Sequence, residues 1–297
     1  MVNKDPDLTI AIVSWNTRDL LARCLTSVQQ EQQNSPDLTV DVCVVDNAST
    51  DGSANMVSES FPWVRLICNT ENAGFAQANN QAIQQSAGRY ALLLNSDTEL
   101  HAGVLATLVA FMEDHPRAGA CGARLVGVDG RLERACHPML TPGREFWRLT
   151  FFDRLWPRAT YTMETWDTQT PRRVEVIKGA CLLIRRGALD QIGLLDDRYH
   201  MYTEEVDLCY RLAEAGWQLW YVPQAVVTHY GAASSKQAAD TMYVQLYRSK
   251  VQFYRKIGGQ GSARRFKILA AAAYLPRALL HPHRRAYRRL LQELPKM

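Results

Sequence analysis

The sequence holds no apolar run approaching the roughly 20 residues that a membrane-spanning helix needs. Its start, Met-Val-Asn-Lys-Asp-Pro-Asp, lacks the apolar core of a signal peptide. Seven cysteines, at 24, 43, 68, 121, 136, 181 and 209, are odd in number and none are spaced CxxC. That pattern suggests neither a disulfide framework nor a cysteine zinc site, and it reads as reduced, cytoplasmic core residues. The usual phosphate-cradling loops, GxxxxGK with Ser or Thr and GxGxxG, are both missing. No segment repeats.

What is present is the composition of a folded protein: 297 residues, 47% hydrophobic and 22% charged, enough for one large α/β domain with an appendage. A net charge of +4 hides an asymmetry. From Arg248 to the end there are thirteen Lys or Arg and one acid, Glu293, which leaves twenty-one cations against twenty-nine acids in the rest. Such a basic tail suits nucleic acid, anionic lipid or solvent.

Through the first 130 residues two hydrophobic patterns alternate. Short β-branched or continuously apolar runs at 8–14, 40–46, 64–69 and 90–94 read as strands. Helical spacing follows at 17–32, 51–61, 75–87 and 104–115, with Thr17 an N-cap and Leu20, Leu21, Cys24 and Val28 turned inward. This alternation predicts a Rossmann-like, doubly wound, mostly parallel sheet with helices on both faces. The second half is less regular. Residues 121–134 predict a hairpin around Val128-Asp129-Gly130-Arg131, 141–171 a loop-rich insertion, and 174–185 a strand interrupted at Gly179. A helix at 204–215 closed by Gly216, strands at 218–222 and 225–229, and a basic helical extension from Lys236 complete the reading.

Ligands of open parallel sheets bind beyond the carboxyl ends of the strands. Three polar clusters fall there: Ser14-Trp15-Asn16, Asp46-Asn47-Ala48-Ser49 and Asn95-Ser96-Asp97. Each alone could be turn chemistry; together they predict a site. Without a glycine phosphate loop, a diphosphate could be neutralised by a divalent metal (Mg²⁺ or Mn²⁺), for which Asp97 is the obvious ligand.

The stretch Val44-Val45-Asp46-Asn47-Ala48-Ser49-Thr50-Asp51-Gly52-Ser53 resembles a motif of glycosyltransferase family 2, which has the GT-A fold. So do Asn72-Ala73-Gly74-Phe75-Ala76 with Asn79, Leu94-Asn95-Ser96-Asp97, Gly179-Ala180-Cys181, and Met201-Tyr202-Thr203-Glu204-Glu205-Val206-Asp207-Leu208. The likeness is nearest to the bacterial rhamnosyltransferase-like branch and runs from about residue 8 to 235. It implies a GT-A domain over 1–235, with a nucleotide-sugar half at 1–100 and an acceptor and catalytic half at 101–235, before the extension at 236–297.

The resemblance also implies roles. Asp46 would accept a hydrogen bond from N3–H of uracil or thymine, and main chain around Ser14, Trp15 and Asn16 would hold the rest of the nucleoside. Asn72, Gly74, Asn79, Asn95 and Ser96 would complete the donor site. Asp97 matches the last position of the family's metal-binding triplet, whose first Asp is replaced here by Asn95. His229 matches a downstream metal-ligating histidine, with a capping or packing role as the alternative. In the family's usual Glu-Asp pair the second acid deprotonates the acceptor; Glu205 stands there, with Glu204 beside it. Both begin a helix, whose dipole favours ionised acids. An acidic first turn with Asp207 paired to Arg211 is the plainer reading of that segment. Leu195, where Phe is usual, and Tyr199-His200, where an aromatic pair is common, lie close to the acceptor side. Trp147, Trp156 and Trp166 would stack on sugars or pack under a loop.

Residues 268–280 are mostly apolar and flanked by Arg264, Arg265, Lys267, Arg284, Arg285, Arg288 and Arg289. That suits the plane of an anionic membrane at its inner face; a helix packed on the catalytic domain and a dimer contact are the alternatives. No groove-reading motif accompanies the charge, so nucleic acid is not an expected partner. The resemblance implies inverting transfer of a rhamnose-like deoxysugar or hexose. The donor would be a dTDP- or UDP-sugar, and the acceptor a glycan or polyprenyl-diphosphate-linked hydroxyl. A nucleotide-sugar-binding protein without catalysis and a nucleotidyltransferase are the competing functions.

Overall fold

In the computed structural model, residues 5–150, 153, 156–231, 239–280 and 284–297 are described. The chain start at 1–4, the expected boundary at 235/236, the first residues of the extension and the side chain of Arg284 lie outside them.

The first half follows the expected alternation: β1 (Leu8–Ser14), α1 (Arg18–Asn34), β2 (Val40–Asp46), α2 (Ser53–Ser60), β3 (Arg65–Cys68), α3 (Phe75–Gln84) and β4 (Tyr90–Asn95). There follow β5 (Thr98–Leu100), α4 (Val104–Asp114), β6 (Ala118–Val126), β7 (Cys136–His137), α5 (Pro142–Leu149), β8 (Arg172–Arg173), β9 (Val176–Ile177) and β10 (Cys181–Arg185). The chain ends with α6 (Arg186–Ile192), α7 (Glu204–Glu214), β11 (Gln218–His229), α8 (Ala239–Leu280) and α9 (Arg284–Glu293).

The central sheet runs β3-β2-β1-β4-β10-β6-β11-β5, with β8 on β11. Strands β1 to β4 are parallel, and β6 is parallel to β11, while β10 lies antiparallel between β4 and β6. Consecutive residues of β1 and β4 are buried, so both sheet faces are covered by helices, which is why these strands read as unbroken apolar runs.

Several local expectations change. The 121–134 hairpin is a stub. Its turn closes through Gly127 N–H donating to the Arg131 carbonyl at 2.8 Å, but the return leg makes one bridge, Val126 with Leu132. The strand that should have paired with it is already held by β10 and β11. The 174–185 strand is interrupted at Gly179 as expected, but its two parts go to different sheets: β9 joins β7, and only β10 enters the main sheet. The two strands at 218–229 are one, with a register shift between Val222 and Val226. The insertion contains α5, capped by Thr141, whose hydroxyl accepts from Arg144 N–H, with Pro142 in its first turn. Thr17 precedes α1 but does not cap it. Trp166 packs against Tyr161 and Tyr221, so the loop-packing reading holds for that tryptophan.

Helix α8 is interrupted at Gly258 and Gly259, where φ is −137° and +68°. Its two halves share a core of Tyr247, Phe253, Tyr254, Phe266 and Tyr274, which Tyr287 and Leu290 of α9 join. The first half is fixed to the body by a buried ion pair, Lys250 Nζ to Glu145 Oε2 at 2.8 Å.

Candidate active site

The upward strands β1, β2, β4, β6 and β11 deliver their last residues to one edge, and β10 starts there because it runs the other way. Ser14 and Asp46 are register partners at the ends of β1 and β2. Asn16 and Ala48 take positive φ, 53° and 63°, and turn the two loops toward each other. Asn16 N–H donates to Ser49 Oγ at 2.9 Å, and Thr50 N–H donates back to Asn16 Oδ1 at 2.8 Å. Asp46 Oδ2 accepts from Ser49 N–H at 3.0 Å, whereas its buried Oδ1 has no partner. A buried acceptor left open costs free energy until a donor arrives.

The Thr17 hydroxyl, 3.0 Å from Ser14 Oγ and 2.9 Å from Ser96 Oγ, joins this loop to the end of β4. That use explains why it does not cap α1. Asn72 is a hub rather than an exposed contact: its Oδ1 accepts from Asn47 Nδ2 at 2.8 Å and from Gly74 N–H at 3.0 Å. Gly74 has φ +85°, and any β-carbon there would collide with the His200 backbone. Asn79 is buried in α3, its Nδ2 donating to the Phe75 carbonyl at 2.9 Å and its Oδ1 unpartnered. Asn80 locks the loop before α7, exchanging hydrogen bonds with Leu195 at 2.8 and 3.1 Å.

Asn95 N–H donates to the Ala180 carbonyl at 3.0 Å, which sets the Gly179-Ala180 turn beside the β4 end. Asp97 Oδ1 lies 3.3 Å from His229 Nε2, and His229 Nδ1 donates to Glu133 Oε2 at 2.9 Å. Nε2 is near enough to Asp97 for an ion pair but is not aligned for a hydrogen bond. Burial disfavours the imidazolium, yet Asp97 and Glu133 outweigh it and raise the His229 pKa. Among the described residues, no group of three or more His, Cys, Asp or Glu is arranged to hold an ion by itself; Asp97 and His229 stand as a pair.

Glu204 and Glu205 open α7 after Thr203, which takes φ +73°. Gly179 sits between the Phe75 ring and Glu205; a β-carbon added to it would lie 3.5 Å from the ring and 3.9 Å from Glu205 Cβ. Both glutamates keep a buried Oε2 without a partner. The helix-start expectation of easily ionised acids is corrected here. Burial raises both pKa values, for Glu204 with added repulsion from Glu205, and it prevails over main-chain hydrogen bonds to each acid. Lys178 lies within electrostatic range of Glu133 and Glu205, its own pKa lowered by burial against their pull. Asp207 is structural: Arg211 Nε is 2.8 Å from its Oδ2 and Lys256 Nζ 2.6 Å from its Oδ1.

Asp46, Asp97, His229 and Glu205 are thus placed along one sheet edge, by way of Asn47–Asn72–Gly74–His200 on one side and Glu133–Lys178 on the other. Sequence reading did not single out Glu133, Lys178 or Asn80, and it quoted Asn47 without a role of its own. Lys178, directly before Gly179-Ala180, and Asn80, directly after Asn79, adjoin residues it did quote. Nothing local marks Glu133, whose partner is 96 residues away.

Residues 9–193 match Glycosyl transferase family 2. N-acetylglucosaminyl-diphospho-decaprenol L-rhamnosyltransferase of Mycobacterium tuberculosis is 33% identical over 77% of this chain and 77% of its own length. The O-antigen biosynthesis protein RfbC of Myxococcus xanthus is 26% identical over 80% of this chain, which spans 18% of it. Among solved structures, the mannosyltransferase PcManGT from Pyrobaculum calidifontis, in complex with GDP-Man and Mn²⁺, matches 99% of this chain and 85% of its own at a TM-score of 0.57 and 18% identity. GalNAc-T7 with UDP, GalNAc and Mn²⁺ matches at 0.55 and 18% identity, over 76% of this chain and 44% of its own.

Proposed function

The chain belongs to glycosyl transferase family 2 and is a glycosyltransferase with the GT-A fold, and from that premise we propose an inverting transfer within cell-surface polysaccharide synthesis. The donor is a dTDP- or UDP-sugar carrying a rhamnose-like deoxysugar or hexose. The acceptor is a hydroxyl of a glycan or polyprenyl-diphosphate-linked sugar. The observation that carries this reading is the set of buried, unsatisfied atoms on one sheet edge: Asp46 Oδ1, His229 Nε2 and the Oε2 atoms of Glu204 and Glu205.

Asp46 Oδ1 is an acceptor only, and so suits the N3–H of a pyrimidine dione. Main chain at Ser14 to Asn16 flanks it, and Asn72, Gly74, Asn79, Asn95 and Ser96 shape the remaining donor pocket. The residues fit a divalent metal, Mg²⁺ or Mn²⁺: Glu133 accepts the Nδ1 proton of His229, and Nε2, on giving up its own proton, would present a lone pair beside Asp97 Oδ1. Such an ion, when bound, neutralises charge on a leaving diphosphate.

Glu205 accepts the acceptor's hydroxyl proton as that oxygen bonds to the anomeric carbon, and the electron pair of the broken C–O bond leaves on the nucleoside diphosphate. One displacement inverts the centre, and no carboxylate nucleophile is required. Burial, by raising the Glu205 pKa, strengthens it as a base, and Lys178 supplies countercharge. Residues 1–100 form the donor half and 101–235 the acceptor half, with 236–297 as an extension at the inner membrane face.

A panel of nucleotide sugars, with Mg²⁺, Mn²⁺ or chelator, tests the donor: dTDP- and UDP-sugars are hydrolysed slowly, and a preference for ADP- or CMP-sugars removes the role of Asp46. Glu205→Gln loses about 10²- to 10⁴-fold in turnover with nucleotide binding kept; full retained activity transfers the base to Glu204.

A further inference from the structure

The second half of α8 presents an apolar stripe. Ile268, Leu275 and Leu279 are 58, 60 and 63% exposed, and their spacing of seven and eleven residues puts them within about 20° of one line down the helix. Exposed Ala272 lies about 40° to one side of that line. Isolated exposed leucines need no explanation, but a row of branched apolar side chains on one helix face does. Cations stand at both of its ends. Exposed Arg264 and Arg265 precede Ile268 by one turn, and Arg265 and Ile268 share the wall of an open recess of about 570 Å³. At the other end the Arg288 guanidinium reaches the Ala278 carbonyl at 3.1 Å, next to Leu279, with Arg285 and Arg289 exposed on the same helix.

We propose that this stripe docks the enzyme on the surface of an anionic phospholipid bilayer, with Ile268, Leu275 and Leu279 entering the acyl boundary and the arginines meeting lipid phosphates. A second copy is the poorer occupant, because pairing like with like brings arginine-tipped ends together, whereas an anionic surface complements them. No helix among the described residues is long and apolar enough to cross a membrane, so contact is in the plane. Three branched side chains supply the apolar part, and each arginine near the surface adds roughly fivefold in affinity, the equivalent of about 1 kcal/mol. The proposal rests on the placement of 236–297 at the membrane face and names the side chains that make the contact; it is separate from the transfer chemistry, since none of these residues lines the sheet edge.

The full chain is sedimented with vesicles of phosphatidylcholine alone or of equal parts phosphatidylcholine and phosphatidylglycerol. Binding is expected to the mixed vesicles only, to weaken with salt, and to fall more than about tenfold in Ile268→Ser/Leu275→Ser/Leu279→Ser. Donor binding, read by thermal shift, stays at the wild-type level and separates this outcome from misfolding or failure of the transferase assignment. Wild-type protein that ignores the mixed vesicles overturns the proposal, as does a triple variant that binds them undiminished. A wild-type dimer that the triple variant turns into monomer assigns the stripe to a copy of the chain instead.

Discussion

The amide of Phe75 donates to the carbonyl of His200 at 2.8 Å, and that carbonyl stands where a β-carbon on Gly74 would go. One main-chain bond therefore joins the loop that follows β3 to the loop that leads into Glu204 and Glu205. Gly74→Ala meets both a left-handed φ and the His200 backbone, so it either breaks that bond or shifts the acidic loop. The expected loss is about 2–3 kcal/mol of stability, seen in thermal melts. Turnover should fall further than melting alone explains, because Glu205 moves with His200.

Glu204 predicts a pH dependence of stability. Its folded pKa is raised by burial and by Glu205, so in the unfolded chain the acid loses its proton first, near the ordinary value of about 4.3. The folded state then binds more protons, and stability declines as pH climbs from there toward the folded pKa. Glu204→Gln removes this cost. Its melting temperature should exceed wild type at neutral pH, with the difference closing below about pH 4. A variant no more stable than wild type at pH 8 contradicts the assignment.

Glu133 bears on the metal. Glu133→Gln weakens the hold on the Nδ1 proton of His229, and Mn²⁺ affinity in the presence of UDP should drop about tenfold to a hundredfold. Titration followed by the spin resonance of free Mn²⁺ reads this without requiring turnover. Unchanged affinity would leave His229 as a packing residue.

The buried pair of Glu145 and Lys250 anchors the extension. Burial favours the neutral acid, but Lys250 and Arg148 prevail and bring the Glu145 pKa down to about 2. Its contribution is present above the unfolded value of about 4.3 and is lost as pH falls toward 2. Lys250→Met should cost about 2–3 kcal/mol, because the buried Glu145 carboxylate keeps Arg148 but loses its buried partner, and Lys250→Met/Glu145→Leu should recover much of it. Chemical denaturation of the three proteins measures both steps.

Strands β1, β2 and β4 were legible because each carries a largely apolar run that ends in polar residues, a pattern set by burial on two faces, whereas the edge strand β3 was marked only by Val64, Leu66 and Ile67. Helix α7 was legible from its acids and Gly216, and the pairing of Asp207 with Arg211 from their four-residue spacing. What escaped depends on contacts distant in sequence. Nothing in Cys181 to Arg185 says that β10 runs against its neighbours, and nothing near Val126 says that its partner will be β11. Helix α5 carried a local signal, Thr141-Pro142, masked by the irregular aromatic residues around it. The helix dipole gave the wrong direction for Glu204 and Glu205, because burial is a property of the assembled fold.

The break at Gly258 and Gly259 divides one long helix into a part that grips Asp207 through Lys256 and a part that bears Ile268, Leu275 and Leu279. Rotational phase is inherited across it. One residue inserted just after Gly259 would turn the distal part by roughly 100°, swinging its greasy ridge toward the protein's flank while the grip on Asp207 stayed as it was.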